Sequence, residues 1–211
     1  MKVIKPSIEI LSKESYEDML ELIELAGRTC YKSEDNITDD SAEGFIKSLM
    51  NKNHKSVLEH AKVTLRVICD RGVSHEIVRH RMASYSQEST RYCNYSKNKF
   101  GNEITVIKPC FLEENTEKYD LWLKTCENCE KSYFEMLNMG MTPQEARSIL
   151  PNSLKTEIVM TLNISSWRNF FELRNSKAAH PQMREVAKMI FDEFKAKYPI
   201  FVYGISKGEQ K

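Results

Sequence analysis

The chain has 211 residues and a formal net charge of +1, with 41% hydrophobic and 29% charged residues. This composition is typical of a globular protein with a conventional core, and the near-neutral charge argues against a protein whose overall field attracts nucleic acid. No apolar run approaches the ~20 residues of a membrane helix, and the first residues lack the apolar run of a signal peptide. We therefore expect a cytosolic protein without a membrane span.

The six cysteines are predicted to be reduced thiols, because no export signal directs the chain to an oxidising compartment. Cys126 and Cys129 form a CxxC pair inside a helical pattern, without a second pair to complete a zinc site. Plain helix residues are the favoured interpretation of this pair, and we expect no bound metal.

The chain opens with residues 3–11, which predict a strand with Pro6 at an edge or bulge. Apolar residues at helical spacing then predict helices over residues 15–31 and 41–50, separated by a polar loop. The polar segment HKSVLEH, residues 54–60, follows the second helix.

HKSVLEH admits two interpretations of equal weight: a helical turn that enters the next strand, or a polar lip of a binding site in which Ser56 presents its hydroxyl. A metal site is disfavoured because the two histidines are six residues apart and do not share a helical face. Residues 61–70 then alternate between apolar and polar side chains, which predicts a strand with one buried side, followed by a turn at residues 70–72.

Residues 79–92, RHRMASYSQESTRY, show no apolar periodicity that core packing would explain. We expect a helix over residues 73–82, so that Arg79, His80 and Arg81 lie at its C-terminal end, where the helix dipole favours cations. A simple end cap made by these three residues is the alternative, but the polar run continues well past the point where a cap would stop. Beyond the helix, the chain is expected to be extended or looped.

Arginines are concentrated around this segment, and no lysine falls among Arg66, Arg71, Arg79, Arg81 and Arg91. The planar guanidinium group donates paired hydrogen bonds to phosphate or carboxylate oxygens, so the cluster predicts a site for a phosphorylated small molecule. Neither GxGxxG nor GxxxxGK[ST] occurs in the sequence, so the usual phosphate loops are absent from it.

Ser84, Ser86 and Ser89 are candidate nucleophiles near His80, but binding a ligand phosphate is the commoner role for such hydroxyls. Arginine does not serve as an ordinary general base. A site so poor in acid–base groups indicates that a cofactor carries the chemistry.

The second half of the chain continues the alternation of strands and helices. The predicted elements are a strand over 104–107, a long helix over 113–140, a short helix opened by a capping box at 142–145 and bearing Arg147, a strand over 155–163, a helix capped by Ser165 or Ser166, and a final helix over 178–198. Asn163, Asn169 and Arg174 stand beside an aromatic cluster in this half. A few strands, several helices and no linker predict one α+β domain.

Three segments resemble the flavin-dependent thymidylate synthases. RHR followed by xxSxxxxSxRY is similar to that family's signature, RHRxxSxNxxSxR. HKSVLEH is similar to its His-x-Ser/Thr-x-x-Glu-His segment, and ARSILP with TLNISSWRNFFELR is similar to its second conserved region. Together these segments span roughly residues 54–175 in the family's order and spacing.

The resemblance implies reductive methylation of dUMP to dTMP, with 5,10-methylenetetrahydrofolate as carbon donor and FAD reduced by NADPH as hydride source. It also implies an α+β fold with a central, mostly antiparallel sheet flanked by helices, and one domain over residues 1–211. A homotetramer with shared active sites is expected, and neither nucleic acid nor a membrane is an expected partner.

By the same resemblance, individual residues receive expected roles. The FAD contacts are expected from Ser56, Arg79, His80, Arg81, Gln87, Asn163 and Asn169. The dUMP contacts are expected from Glu76, Arg79, Gln87, Glu88, Ser89, Thr90, Arg91, Arg147 and Arg174. Ser89 and Arg91 are expected at the phosphate. Arg174 is expected to stabilise negative charge on the uracil ring, without an obligate enzyme nucleophile, and to complete the site with Arg147 across a subunit boundary.

Three positions depart from the family pattern. Ser86 replaces a usual asparagine, Glu76 stands where glutamine is frequent, and Ser165 stands where arginine is common, which leaves Arg168 to take its place. These departures put individual contacts in question and leave the family resemblance intact.

Two other functions remain open. A non-catalytic nucleotide or RNA binder would use the arginine cluster and would show a steep salt dependence. A phosphotransferase would carry a phosphohistidine at His80. Both alternatives predict a protein without flavin.

Overall fold

The computed structural model of the protein describes residues 1–205. The strands are β1 (Lys2–Ile4), β2 (Ser7–Ile10), β3 (Lys62–Asp70), β4 (Ala83–Gln87), β5 (Thr105–Ile107) and β6 (Lys155–Asn163). The helices are α1 (Tyr16–Tyr31), α2 (Ser41–Asn51), α3 (Arg71–Ile77), α4 (Glu117–Asn138), α5 (Pro143–Ala146), α6 (Ile164–Arg174) and α7 (Pro181–Lys197). Short 3₁₀ turns supplement them, one of them at Ser56–Glu59.

The strands form two sheets. A small antiparallel sheet has the order β2-β3-β6-β4, and β1 pairs in parallel with β5, with Lys2 opposite Thr105. The expected α+β class with an antiparallel sheet is therefore confirmed. The parallel pair was not expected, because pairing between strands about a hundred residues apart leaves no local trace in the sequence.

The described chain divides into two compact units. Unit 1 comprises residues 1–7, 67–79 and 86–159, and unit 2 comprises residues 8–66, 80–85 and those from 160 onward. The boundary falls inside β2, β3, β4 and β6, so neither unit is a continuous stretch of chain. The expected single domain over residues 1–211 stays a prediction.

Unit 1 is built around the long helix α4. Its buried cluster joins that helix to β5 and to the loop after β4, and consists of Tyr95, Ile104, Val106, Cys126, Tyr133, Ala146 and Leu154. The Tyr95 and Tyr133 ring centroids lie 5.9 Å apart, and Trp122 Nε1 donates to Ser153 Oγ at 3.0 Å. This packing fixes the chain on both sides of α5, where Arg147 follows.

Unit 2 has an aromatic core on α6 and α7. Trp167 lies between Phe170 and Phe194, with ring centroids 5.3 and 5.2 Å away, and its Nε1 donates to the Val63 carbonyl at 3.1 Å. Aromatic pairs of this kind contribute about 0.5–1.5 kcal/mol each beyond area burial. The core therefore holds α6 firmly against β3.

Two helix starts differ from those predicted. The expected turn at residues 70–72 is the first turn of α3, because the Asp70 carboxylate accepts from the Val73 N–H at 2.8 Å. The cap of α6 is Asn163, whose Oδ1 accepts from the Ser166 N–H at 2.7 Å, so the predicted cap at Ser165 or Ser166 is wrong. In both cases the last residue of a strand caps the following helix.

Other helix and strand boundaries also differ from the predicted ones. The predicted strand over residues 3–11 is interrupted at Pro6, which lacks the N–H that a continuous ladder needs. The helix predicted from residue 113 starts at Glu117 after its cap Thr116, and the final helix starts at Pro181 after its cap His180. By contrast, α1, β3 and β6 match the predicted spans closely, and HKSVLEH is a helical turn that enters β3.

Over residues 1–205, no helix is long and apolar enough to cross a membrane, and no group of three or more His, Cys, Asp or Glu side chains is arranged to hold a metal ion. All six cysteines are free thiols, as predicted. The expected cytosolic location stays a prediction.

Candidate active site

A cleft of about 320 Å³ in unit 1 brings together two arginines. Its lining residues are Arg71, His75, Thr90, Arg147, Ser148, Leu150, Pro151, Asn152 and Leu154. Arg147 Nη1 donates to the Thr90 hydroxyl at 3.3 Å, and Thr90 is only 7% exposed. No carboxylate stands among these lining residues, so the cleft is suited to an anion.

Local structure positions both arginines. The Arg71 N–H donates to the carbonyls of Asn152 and Leu154 at 3.0 and 3.1 Å, which ties the start of α3 to the chain before β6. Arg147 follows α5, whose capping box is formed as predicted: the Thr142 N–H donates to Glu145 at 2.7 Å. Each guanidinium group therefore extends from a backbone that is fixed at its base.

Arg147 and Thr90 meet within one chain, so no subunit boundary is needed to join these two residues. Sequence reasoning missed Arg71 and His75 as lining residues, although it had placed Arg71 in the arginine cluster. The available signal was their spacing of four residues, which puts them on one side of a helix once that helix starts at Arg71.

Gln87 and Glu88, both expected near dUMP, are already hydrogen bonded inside unit 1. Gln87 Nε2 donates to Ser74 Oγ at 2.9 Å and to Thr156 Oγ1 at 3.2 Å. Both amide protons are therefore used, and only the Gln87 carbonyl oxygen can accept from a ligand.

The Glu88 carboxylate is the centre of a small network. It accepts from Lys155 Nζ at 3.0 Å and from the Tyr95 hydroxyl at 3.1 Å, and Lys155 also contacts Glu157 at 2.5 Å. The two carboxylates raise the pKa of Lys155 against the opposing effect of its burial. Because Lys155 compensates the charge of Glu88, this carboxylate is poorly suited to act as a general base.

Ser89 and Arg91 lie in a tight turn just after β4. The Ser89 carbonyl accepts from the N–H groups of Tyr92 and Cys93 at 3.1 and 2.9 Å, and the Ser89 hydroxyl accepts from the Arg91 N–H at 3.3 Å. Within the described chain, no histidine or carboxylate hydrogen-bonds this hydroxyl, so nothing activates it as a nucleophile. The Arg91 guanidinium is exposed and lies 5.5 Å from the Tyr92 ring centroid.

In unit 2, His80 and Arg174 form a direct pair. Arg174 Nε donates to His80 Nε2 at 2.8 Å, so His80 must be neutral with its proton on Nδ1. Burial, and secondarily the charge of Arg174, lower the pKa of His80 to about 4. The His80 ring packs on Phe170 with centroids 4.9 Å apart, and the Tyr85 hydroxyl donates to its carbonyl at 2.8 Å.

The backbone around RHR explains why His80 is buried while its neighbours are exposed. The predicted helix over residues 73–82 is wrong at its end: α3 stops at Ile77, and the chain reverses through Met82, whose φ is +63°. This reversal turns His80 inward against α6 and leaves Arg79 and Arg81 exposed. The three residues therefore do not form a helix-end cap.

Comparisons with known proteins agree with this geometry. The family described as "Thymidylate synthase complementing protein" matches residues 11–200. The flavin-dependent thymidylate synthase of Pyrococcus furiosus is 34% identical over 173 residues, which cover 82% of this chain and 70% of that protein. The chain belongs to the flavin-dependent thymidylate synthase family. The expected family and enzyme class are thus confirmed.

Other members of the flavin-dependent thymidylate synthase family show the same relation. The enzyme of Pyrococcus abyssi is 34% identical, covering 77% of this chain and 66% of that protein, and the enzyme of Corynebacterium glutamicum is 29% identical, covering 87% and 83%. The UMP/dUMP methylase PolB from Streptomyces cacaoi, solved with bound 5-Br dUMP, superimposes with a TM-score of 0.77 at 20% identity and full coverage of both chains. At that identity, the likeness shows a shared fold.

The positions that resemble the family's flavin contacts are mostly solvent-accessible. Ser56, Arg79, Arg81 and Asn169 are exposed, whereas the Asn163 oxygen caps α6 and leaves its NH₂ group to donate. Five of the seven expected FAD residues belong to unit 2, and eight of the nine expected dUMP residues belong to unit 1. Most residues expected to bind FAD therefore lie in unit 2, and most residues expected to bind dUMP lie in unit 1.

The structure also locates the three residues that depart from the family pattern. Ser86 is exposed on β4, Glu76 is half-buried on α3, and Ser165 is half-buried on α6. Arg168 does not substitute for an arginine at position 165, because its buried Nη1 donates to the carbonyls of Phe201 and Tyr203, each at 2.9 Å. Its role in this member of the family is structural.

Proposed function

We propose that the protein converts dUMP to dTMP by reductive methylation, with 5,10-methylenetetrahydrofolate as the carbon donor and FAD reduced by NADPH as the hydride source. The observation that carries the proposal is the cleft of unit 1, in which Arg71 and Arg147 face a ligand space without any carboxylate. Membership of the flavin-dependent thymidylate synthase family supports the reaction.

The nucleotide phosphate belongs in that cleft. Arg71 and Arg147 supply charge-assisted donors, and the Thr90 hydroxyl adds a neutral one. On the family pattern, Ser89 and the exposed Arg91 in the turn after β4 are also proposed at the phosphate, and the Gln87 carbonyl oxygen is left to accept from the nucleotide. Glu76, Arg79 and Glu88 remain proposed dUMP neighbours on the family pattern.

The residues present fit a flavin dinucleotide. Ser56, Arg79 and Arg81 offer exposed hydroxyl and guanidinium donors suited to its phosphates, and Asn163 and Asn169 offer amide groups suited to the polar edge of its ring system. His80 contributes ring surface and its Nδ1–H, since Arg174 uses its Nε2. When bound and reduced, the flavin supplies the hydride that arginine and serine side chains cannot supply.

Arg174 is the proposed catalytic residue. The bond from its Nε to His80 orients the guanidinium group, and the positive charge of that group would stabilise negative charge as it develops on the uracil ring. A neutral histidine suits this task, because it orients the arginine without adding a negative charge of its own. No enzyme nucleophile is required, since the Ser89 hydroxyl has no activating base.

Both units are proposed to act together as one domain over residues 1–211, and the chain is proposed to assemble as a homotetramer with shared active sites. The match of the family over residues 11–200, which includes parts of both units, supports the single domain. The tetramer rests on the family resemblance, and sedimentation velocity of the purified protein tests it.

One measurement separates the proposal from its rivals: the visible spectrum of the purified protein. We expect a yellow protein with flavin absorbance that bleaches when NADPH is added, and dTMP formation once dUMP and methylenetetrahydrofolate are supplied. A colourless protein that does not take up added FAD would refute the proposal. An RNA binder would instead show a steep salt dependence. A covalent phosphohistidine is disfavoured because His80 is 7% exposed and its Nε2 accepts from Arg174.

A further inference from the structure

A second concave site lies in unit 2 and involves none of the residues assigned above to nucleotide or flavin. It is a groove of about 640 Å³ walled by α2, α7 and the segment that follows α7. The lining residues are Glu43, Gly44, Lys47, Phe191, Lys195, Pro199, Ile200, Val202, Tyr203 and Ile205. Its volume falls in the range of small-molecule sites.

The groove combines an apolar floor with an excess of positive charge. Its single carboxylate, Glu43, accepts from the Tyr16 hydroxyl at 2.6 Å. Lys47 Nζ lies 4.6 Å from the centroid of the Tyr203 ring, and among residues 1–205 neither Lys47 nor Lys195 is ion-paired with a carboxylate. A ligand with an apolar body and an acidic group would complement these walls.

A buried cation holds one wall in place. Arg168 is 7% exposed, and its Nη1 donates to the carbonyls of Phe201 and Tyr203 at 2.9 Å. The segment that carries Ile200 and Val202 is thereby anchored to α6. The groove is therefore supported from beneath, and a third positive charge lies behind its wall.

Two helical glycines of unit 2 differ in how closely other residues pack around them. A Cβ added at Gly27 of α1 would come within 2.6 Å of the Phe45 ring, so the close approach of α1 and α2 demands glycine there. A Cβ added at Gly44 of α2 would meet nothing within 4 Å. No neighbouring atom therefore requires glycine at position 44, although glycine weakens a helix interior. The missing side chain leaves the floor of the groove open.

We propose that this groove is a second ligand site of the protein, and that its ligand is a small organic acid with an aromatic body. The aromatic body would pack against Phe191, Ile200 and Val202, and the acidic group would be bound by Lys47 and Lys195. Charge complementarity favours this occupant over a neutral or cationic one.

The test uses the full chain and the fluorescent probe 8-anilinonaphthalene-1-sulfonate, which joins an aromatic body to an acidic group. We expect one probe per chain, with affinity that falls as salt rises. The double variant Lys47→Met, Lys195→Met should weaken binding about tenfold, because the ion pairs are lost while the apolar stems remain. Lys188→Met is the matched control, since Lys188 is exposed on α7 outside the groove and should leave affinity unchanged.

A second variant tests the apolar floor. Gly44→Leu should fill the groove and abolish probe binding while the melting temperature stays at or above that of the parent protein, because the added side chain starts in open space. The uncharged probe N-phenyl-1-naphthylamine should bind about tenfold more weakly than the sulfonate.

Three results would overturn the proposal. The first is unchanged affinity in a folded Gly44→Leu or double-lysine variant. The second is displacement of the probe by dUMP or FAD, which would place it in the proposed active site. The third is a Gly44→Leu variant with an altered sedimentation coefficient, which would make the groove a contact between copies of the chain.

Discussion

The two arginine sites of this protein differ in what surrounds the guanidinium group. In the cleft of unit 1, Arg71 and Arg147 line a space with hydroxyls and without carboxylates, an arrangement suited to an anion that is charged throughout the reaction. In unit 2, Arg174 is held at Nε by a buried neutral histidine, an arrangement suited to charge that appears only in the transition state. Under the proposed function, arginine would serve a permanent charge in one unit and a transient charge in the other, and the neighbouring side chains would set the difference.

The largest effect is expected from Arg174→Ala. If Arg174 stabilises transient charge, turnover of dUMP should fall by about three orders of magnitude or more, while the dissociation constant of dUMP changes by less than about tenfold. Single-turnover kinetics together with equilibrium dUMP binding measure both quantities, and the flavin spectrum confirms that FAD is retained.

Arg66→Ala is the control for this experiment, because Arg66 is half-exposed on β3 in the same unit, paired with Glu9. Its turnover should equal that of the parent protein. Normal turnover in Arg174→Ala would remove the proposed catalytic role and, with it, one side of the comparison.

The opposite pattern is expected in unit 1. Arg147→Ala and Arg71→Ala should each weaken dUMP binding about 10- to 100-fold, which corresponds to the ~1.5–3 kcal/mol of a hydrogen bond to a charged group. Deoxyuridine, which lacks the phosphate, should bind the variants and the parent protein equally. If deoxyuridine affinity falls in parallel with that of dUMP, the cleft does not hold the phosphate.

Both sites were only partly predictable from the sequence, for different reasons. Strand β6 and helix α1 follow from β-branched composition and from apolar residues at helical spacing, both of which are local signals. The end of α3 does not, because apolar spacing continues to Val78 and nothing local announces the positive φ of Met82. The reversal at Met82 is what turns His80 inward.

No local sequence signal predicts the hydrogen-bonded pairs in either site. Arg147 and Thr90 are 57 residues apart, and Arg174 and His80 are 94 apart, so only the tertiary fold joins them. The family resemblance nominated all four residues as ligand contacts. It gave no indication that His80 would use Nε2 to hold Arg174, or that Arg71 would join Arg147.

The neutral state of His80 predicts how stability depends on pH. Its pKa is lowered from 6.5 to about 4 in the folded protein, so the unfolded chain binds the extra proton first as pH falls. The free energy of unfolding is therefore unaffected above about pH 6.5 and falls progressively toward pH 4, by about 2.5 kcal/mol at pH 4.5. Urea unfolding at a series of pH values measures it.

His80→Gln should remove this part of the pH dependence, because glutamine keeps an acceptor for Arg174 but does not titrate. His75→Gln, at an exposed position of α3 in unit 1, is the matched control and should retain the parent profile. Equal slopes in the parent protein and His80→Gln would show that the histidine is not held neutral, and the contrast between the two arginine sites would lose its electrostatic basis.

The smallest effect is expected from Ser89→Ala, a substitution in unit 1. The Ser89 hydroxyl accepts from the Arg91 N–H and has no hydrogen-bonded base in the described chain, so its proposed role is one neutral contact to a phosphate. Losing such a contact costs about 0.5–1.5 kcal/mol, which corresponds to a decrease in kcat/KM of about tenfold or less. An obligate nucleophile would instead leave no measurable dTMP formation. Residual turnover within tenfold of the parent would therefore support a binding role for the residues of unit 1 and would be consistent with Arg174 as the residue that stabilises transient charge.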